Sequence, residues 1–288
     1  MRRLNYELKE LCKHNRDGSF AVQANRKSIL QKVANDLFRL GYQGMQARSL
    51  KAKHVNAIVE QYKNEGLSIG TIKNRLAILR WWAQKFNRAQ VVASDNAHYG
   101  IGSRELVAKE SKATFLEQEK LDKITDPHIK MSLELQKAFG LRREESIKFI
   151  PDYADQGDHI RLKSTWCKGG KERVIPILTQ EQREVLNRSK ALAGKNSLIP
   201  AYLTYVQQKN RYEKQAQKAG LNRMHGLRHA YAQARYLELT GRNSPACGGL
   251  SSKQLTPDQK ENDLNARLII SKELGHEREQ ITTSYLGR

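Results

Sequence analysis

Apolar residues in the first hundred positions recur at helical spacing, with basic residues set among them. Between Phe20 and about Leu40, the spacing of Ile29, Val33, Leu37 and Leu40 predicts a helix, and Gly41 supplies its stop. A second is predicted from Lys51 to Tyr62, carrying Val55, Ile58 and Val59 ahead of Gly66. Ser68-Ile-Gly-Thr71 opens a third, with Ile72, Leu76, Leu79 and Trp82 on its apolar side and Lys73, Arg75, Arg80 and Lys85 interspersed. Trp81 and Trp82 fit core and interface packing better than base stacking. From about Ala89 to Lys112 the periodicity lapses into Ser, Asp, Gly100 and Gly102, which predicts a linker.

Beyond the linker the pattern is mixed. Met131, Leu135, Ala138 and Phe139 define a helix ending at Gly140, and another begins near Arg142. The run His159 to Thr165 reads as a strand, Gly169-Gly170 as a hairpin turn, and Arg173 to Ile177 as the return strand, with Pro176 suited to an edge. Helices are predicted near Glu181 to Leu192, Tyr202 to Ala219 and Arg228 to Leu239, and the Gly-, Ser- and Asn-rich stretch from Thr240 to Ser252 as an exposed loop. The expected fold is mainly α with a small antiparallel β-sheet. A helical domain spans residues 1–100, a linker 101–112, and a mixed α+β domain 113–288.

Charge narrows the partner. The 51 Lys and Arg exceed the 30 Asp and Glu, for a formal net charge of +21. Cations seated at phosphates release condensed counterions, so a polyanion is the expected partner. No long apolar run, signal peptide or lipidation motif favours a membrane, which leaves nucleic acid and a cytoplasmic, nucleoid-associated location. Cys12, Cys167 and Cys247 are too dispersed for a disulfide framework or a metal site. Charge alone would equally suit a ribosomal or nucleoid protein.

Candidate chemistry lies in four islands of the second half. Phosphoryl transfer without a metal needs a nucleophile, cations on the non-bridging oxygens and an acid for the leaving oxygen. In Gly140-Leu-Arg-Arg-Glu-Glu-Ser146, Glu145 lies three residues after Arg142 and can hold its guanidinium fork toward a phosphate. In Cys167-Lys-Gly-Gly-Lys-Glu-Arg173, Lys168 and Lys171 flank a tight turn that can enter a groove. In His225-Gly-Leu-Arg-His-Ala230, His225 and Arg228 can converge on one phosphate. Leu274-Gly-His276 precedes Ile281-Thr-Thr-Ser-Tyr285, whose phenol needs cationic neighbours or a base to be a good nucleophile. Each island alone is ordinary surface chemistry: a solvated ion pair, a soluble hairpin, a capping histidine, a terminal tyrosine.

Together and in this order, the islands resemble the signature of tyrosine recombinases and phage-type integrases, strongly over residues 113–288 and only in kind over the first hundred. The resemblance implies that Tyr285 attacks DNA to give a 3′-phosphotyrosyl link. Arg142 and Arg228 would hold the non-bridging oxygens, and Lys168 (Lys171 being the alternative) would protonate the leaving 5′-oxygen. His225 would serve as acid/base, His276 would donate a hydrogen bond to the phosphate, and Glu145 would orient Arg142. It implies double-stranded DNA as partner, a homotetramer on two sites, accessory DNA-bending proteins as further candidates, and no cofactor or metal. The helical domain would be a DNA-binding core module, with Lys73, Arg75 and Arg80 as candidate contacts. One departure stands out: the stretch between Arg228 and His276 is longer than the family's, with the extra residues placed between Thr240 and Asn265 as a tolerated loop. Rival readings are a type IB topoisomerase, a non-catalytic DNA-binding relative and a basic RNA-binding protein.

Overall fold

The computed structural model describes residues 1–288, which divide into two compact units, Met1–Glu105 and Leu106–Arg288. The first unit is built from helices α1 (Arg3–His14), α2 (Phe20–Arg39), α3 (Ala52–Asn64) and α4 (Ile69–Lys85). Ser19 and Ser68 cap α2 and α4, their side chains accepting from Val22 N and Thr71 N, which satisfies donors the helical ladder leaves free. The apolar stripes meet in one core around Leu30, Leu37, Ile58, Leu76 and Trp82. Trp82 is fully buried, and its indole N–H donates to the Ala47 carbonyl at 2.8 Å. Trp81 is half-buried under the Arg26 guanidinium, with its N–H on Asp17.

The second unit begins with α5 (Gln118–Asp122), α6 (Pro127–Phe139), α7 (Arg143–Ile147) and α8 (Pro151–Ala154). Strands β1 (His159–Leu162) and β2 (Arg173–Pro176) pair antiparallel with Leu162 opposite Arg173. Helices α9 (Gln180–Ala193), α10 (Tyr205–Lys218), α11 (Gly226–Thr240), α12 (Pro257–Glu273) and α13 (Thr283–Leu286) complete it. Phe139, Phe149, Ile160, Leu162, Ile175, Tyr236 and Ile270 form its main core, so α6, the sheet, α11 and α12 share one apolar interior. No helix is long and apolar enough to cross a membrane.

Four expectations change. Helix α1 precedes the first predicted helix. It buries only Leu4, Asn5 and Leu8, too narrow an apolar stripe to stand out by periodicity. Residues read as the start of the linker are core: Val92, Tyr99 and Ile101 are buried in the first unit. Strands β1 and β2 are joined not by a tight turn but by residues 163–172, which make two short 3-10 turns. Gly169 and Gly170 there adopt φ of 82° and 69°. The supposed loop insertion is also half structure: α12 starts at Pro257, and within the stretch before it Ser244 and Ala246 are buried.

Candidate active site

Three of the four islands meet where the Arg228 side chain reaches two backbone carbonyls. Helix α6 ends at Gly140 in the left-handed region, φ 59°, where a Cβ would lie 2.6 Å from the Tyr231 ring. That turn aims the Gly140 carbonyl inward. Helix α12 ends just before Leu274, whose carbonyl also points into the centre. Arg228, on the first turn of α11, is fully buried and donates to the Gly140 carbonyl at 2.6 Å and to the Leu274 carbonyl. Arg142, still 20 % exposed at its side chain, donates to the same Leu274 carbonyl at 3.2 Å. Two guanidinium groups are therefore held side by side on a shared backbone acceptor.

Glu145 is the only carboxylate bonded to this cluster. It is fully buried and accepts from the backbone N–H of Arg142 at 2.6 Å and from its guanidinium at 2.8 Å. It also accepts a bidentate pair from Arg173 at 2.7 and 2.8 Å. Burial alone would raise the Glu145 carboxyl; the hydrogen bonds and charge of Arg173, then Arg142 and Arg228, outweigh it and hold the group at about 2. Arg228 has no carboxylate partner, and burial pulls its pKa down to about 10, with Arg142 and Arg173 adding to the shift against Tyr285. Three cations against one anion, in a largely buried cluster, leave the centre short of negative charge.

Tyr285 lies within this centre. It is buried on α13, and Arg228 Nε donates to its hydroxyl at 3.3 Å. Its ring centroid lies 4.7 Å from that of His229, 6.1 Å from His225 and 6.4 Å from His276. His276 Nε2 is 3.5 Å from Arg142 Nη2. Burial first, then the charges of Arg228, Arg142, Arg173 and Lys168, push His276 down to about 4. His225 is lowered too, by burial of its ring and then by Arg228 and Arg142, although the residue as a whole faces solvent. Both shifts favour the neutral imidazole, the form that can accept a proton. Lys168 is exposed on the 163–172 connection, near enough for its charge to reach His276. Lys171 is exposed and paired with Glu277. No group of three or more His, Cys, Asp or Glu side chains is placed to hold a metal ion.

The structure thus brings Arg142, Glu145, Arg228, His225, His276 and Tyr285 together, with Lys168 exposed at the rim and Lys171 in an exposed ion pair with Glu277, the residue after His276. In the first unit Arg80 is engaged inward, donating to the Ala93 carbonyl and Asn96 at 2.8 Å each, and Arg75 lies over the Tyr62 ring at 4.2 Å. Both fasten their own unit; Lys73 is the least committed of the three. Sequence reasoning missed Arg173 and His229. Arg173 had a signal: it stands on the inward phase of β2 with Ile175, where an arginine needs a buried anion. His229 follows Arg228 directly, and burial pushes it down to about 4.

The family described as "Phage integrase, N-terminal" matches residues 1–92, and that described as "Integrase" matches residues 98–234. The second match ends ahead of His276 and Tyr285. Among curated proteins, no sequence matches significantly. Solved structures of similar fold include XerH site-specific recombinase bound to difH substrate, at 18% identity, covering 98% of this chain and 80% of that one, TM-score 0.55. A lambda integrase tetramer bound to a Holliday junction matches at 14% identity over 98% of this chain and 76% of that one, TM-score 0.59. The Tn1549 transposon integrase with circular intermediate DNA matches at 14% identity over 100% and 96% of the two chains, TM-score 0.52. At these identities the likeness is one of fold.

Proposed function

Because the chain belongs to the tyrosine recombinase family of phage-type integrases, and so is a site-specific DNA recombinase, we propose that Tyr285 is its nucleophile. The observation that carries this reading is the Tyr285 hydroxyl on Arg228, inside a centre of three guanidinium groups and one carboxylate. A phosphodiester supplies the missing negative charge. Arg142 and Arg228 take its non-bridging oxygens, and their fixed forks match the charge that grows on those oxygens in the pentavalent transition state. The Tyr285 oxygen attacks phosphorus as the bond to the 5′-oxygen breaks. His225 accepts the phenol proton, and Lys168 gives a proton to the leaving 5′-oxygen. His276 donates to a phosphate oxygen, and Glu145 keeps Arg142 aimed. The phosphodiester energy stays in the 3′-phosphotyrosyl bond, and a 5′-hydroxyl from a partner strand reverses the step.

The partner is double-stranded DNA at the nucleoid, gripped in part by the helical first unit, with Lys73 a phosphate contact and Arg75 and Arg80 shaping the surface around it. Strand exchange takes four copies on two sites, and the biological role is integration or excision of a mobile element. A nicked suicide duplex tests this. Incubated with DNA flanking its own gene, the protein is expected to form a covalent adduct that maps to one site and is absent in Tyr285→Phe. An adduct that persists in Tyr285→Phe, or none with wild type, contradicts the assignment.

A further inference from the structure

Tyr285 sits on α13, a single turn covering Thr283–Leu286. So short a helix cannot hold itself in water, because ordering it costs more entropy than its few hydrogen bonds return. It continues the 3-10 turn Glu279–Thr282, Leu286 anchors it in the core and Arg228 holds the phenol, so what remains to be fixed from outside is the carbonyl side of α13. Two grips come from the stretch that opens the second unit. The Ala108 N–H donates to the Thr283 carbonyl at 3.0 Å. Ser111 Oγ donates to Gln233 Oε1 at 2.9 Å, and Nε2 of the same amide donates to the carbonyl of Tyr285 at 3.0 Å. Gln233 lies on α11, the helix whose first turn carries Arg228, so one element holds both a phosphate-facing cation and the backbone of the tyrosine. Gly287 completes the contact: a Cβ there would lie 2.9 Å from the Ala108 carbonyl and 2.8 Å from the Ala246 nitrogen.

From these contacts we infer that Gln233 is a positioning residue for strand cleavage, fixing the backbone of Tyr285 to the 106–112 segment. The inference rests on Tyr285 being the nucleophile. Gln233 itself touches no reacting atom; its amide meets a backbone carbonyl on one side and a serine hydroxyl on the other. Both ends of the amide are used, so glutamate, which keeps the acceptor but sets a carboxylate against the Tyr285 carbonyl, is a poor substitute. Residues 108 and 111 thus reach the tyrosine-bearing turn through three hydrogen bonds, one direct and two by way of Gln233.

Single-turnover cleavage by the full-length protein tests the inference, on a nicked duplex carrying the site mapped from the wild-type adduct. Gln233→Ala and Gln233→Glu are each expected to cleave about tenfold more slowly, the worth of one well-placed hydrogen bond, with DNA affinity unchanged. Ser111→Ala, at an exposed position whose hydroxyl also accepts from the Ala113 N–H, is expected to slow cleavage less, and to add nothing to Gln233→Ala. A 5′-bridging phosphorothioate is expected to rescue Lys168→Ala but not Gln233→Ala, since a thiolate leaves without protonation and the Gln233 defect lies with the nucleophile. Wild-type cleavage by both Gln233 variants overturns the inference. So does a rate loss matched by weaker binding, restored by the phosphorothioate, or strictly additive with Ser111→Ala. Wild-type protein that forms no adduct at Tyr285 strikes the nucleophile assignment itself, a result distinct from an active wild type with active Gln233 variants.

Discussion

Glu145 balances Arg173 and part of Arg142, while Arg228 has only carbonyls and a phenol around it. The consequences of removing each group differ accordingly. Arg142 remains partly exposed, so Arg142→Ala is expected to leave duplex affinity within a few-fold and reduce cleavage by about 10²–10³ or more, as loss of a transition-state donor does. Filter binding and single-turnover cleavage read the two separately; equal losses in both contradict the role. Arg173→Ala instead strands a buried carboxylate and is expected to cost about 3 kcal/mol of folding stability by urea denaturation. Protonation gives a further test. His229 and His276 both sit at about 4 against an ordinary 6.5, so the unfolded chain binds protons that the folded chain refuses. Stability is therefore expected to hold above pH 6.5 and fall as pH drops from 6.5 toward 4, with Glu145 adding a loss from 4.5 toward 2. Melting temperatures across this range check the sign. The residue types of the centre were legible only because four islands, each ordinary surface chemistry alone, stand together in one order. Arg173 was not singled out, since an arginine ending a basic run looks solvated until the strand phase turns it inward.

At the scale of elements, two glycines set the site by what they exclude. Gly140 combines φ 59° with a Tyr231 ring that a methyl group would enter, and its carbonyl holds Arg228. Gly140→Ala is expected to destabilise the fold by about 1–3 kcal/mol and to lose cleavage more than DNA binding, because strain at this turn moves the Arg228 acceptor. Thermal melting and cleavage together check it; an unchanged melting temperature contradicts the steric account. The long helices were legible from apolar spacing and glycine stops. Helix α12 was overlooked although Thr256-Pro-Asp-Gln259 carries a start signal. The Thr256 side chain accepts from Gln259 N, the Gln259 side chain answers on Thr256 N, and proline fills the first turn. A Gly- and Ser-rich approach masked it. The turn Pro245–Cys247 was unreadable for another reason: its burial comes from packing beside Gly287, a contact remote in sequence.

For the whole molecule, the net charge of +21 is an excess that the internal ion pairs do not absorb. Binding to DNA is therefore expected to be steeply salt-dependent, with affinity falling by about 10³–10⁵ between roughly 50 and 200 mM salt if six to ten phosphates are contacted. A titration series at several salt concentrations checks the slope, and a flat one contradicts phosphate-led binding. The sequence changes pattern near residue 100, whereas the first compact unit runs to Glu105 and takes Val92, Tyr99 and Ile101 into its core. The attachment of residues 108 and 111 to the tyrosine-bearing turn was not legible, because it is made by one backbone N–H and one serine on an aperiodic stretch. The central claim is that the phenol oxygen of Tyr285 becomes bonded to phosphorus. Proteolysis of the trapped protein–DNA adduct, followed by mass spectrometry of the nucleotide-bearing peptide, reads that bond directly. The expected result is a single Tyr285-containing peptide with a 3′-linked nucleotide on Tyr285; a nucleotide on any other residue, or a 5′ linkage, contradicts it.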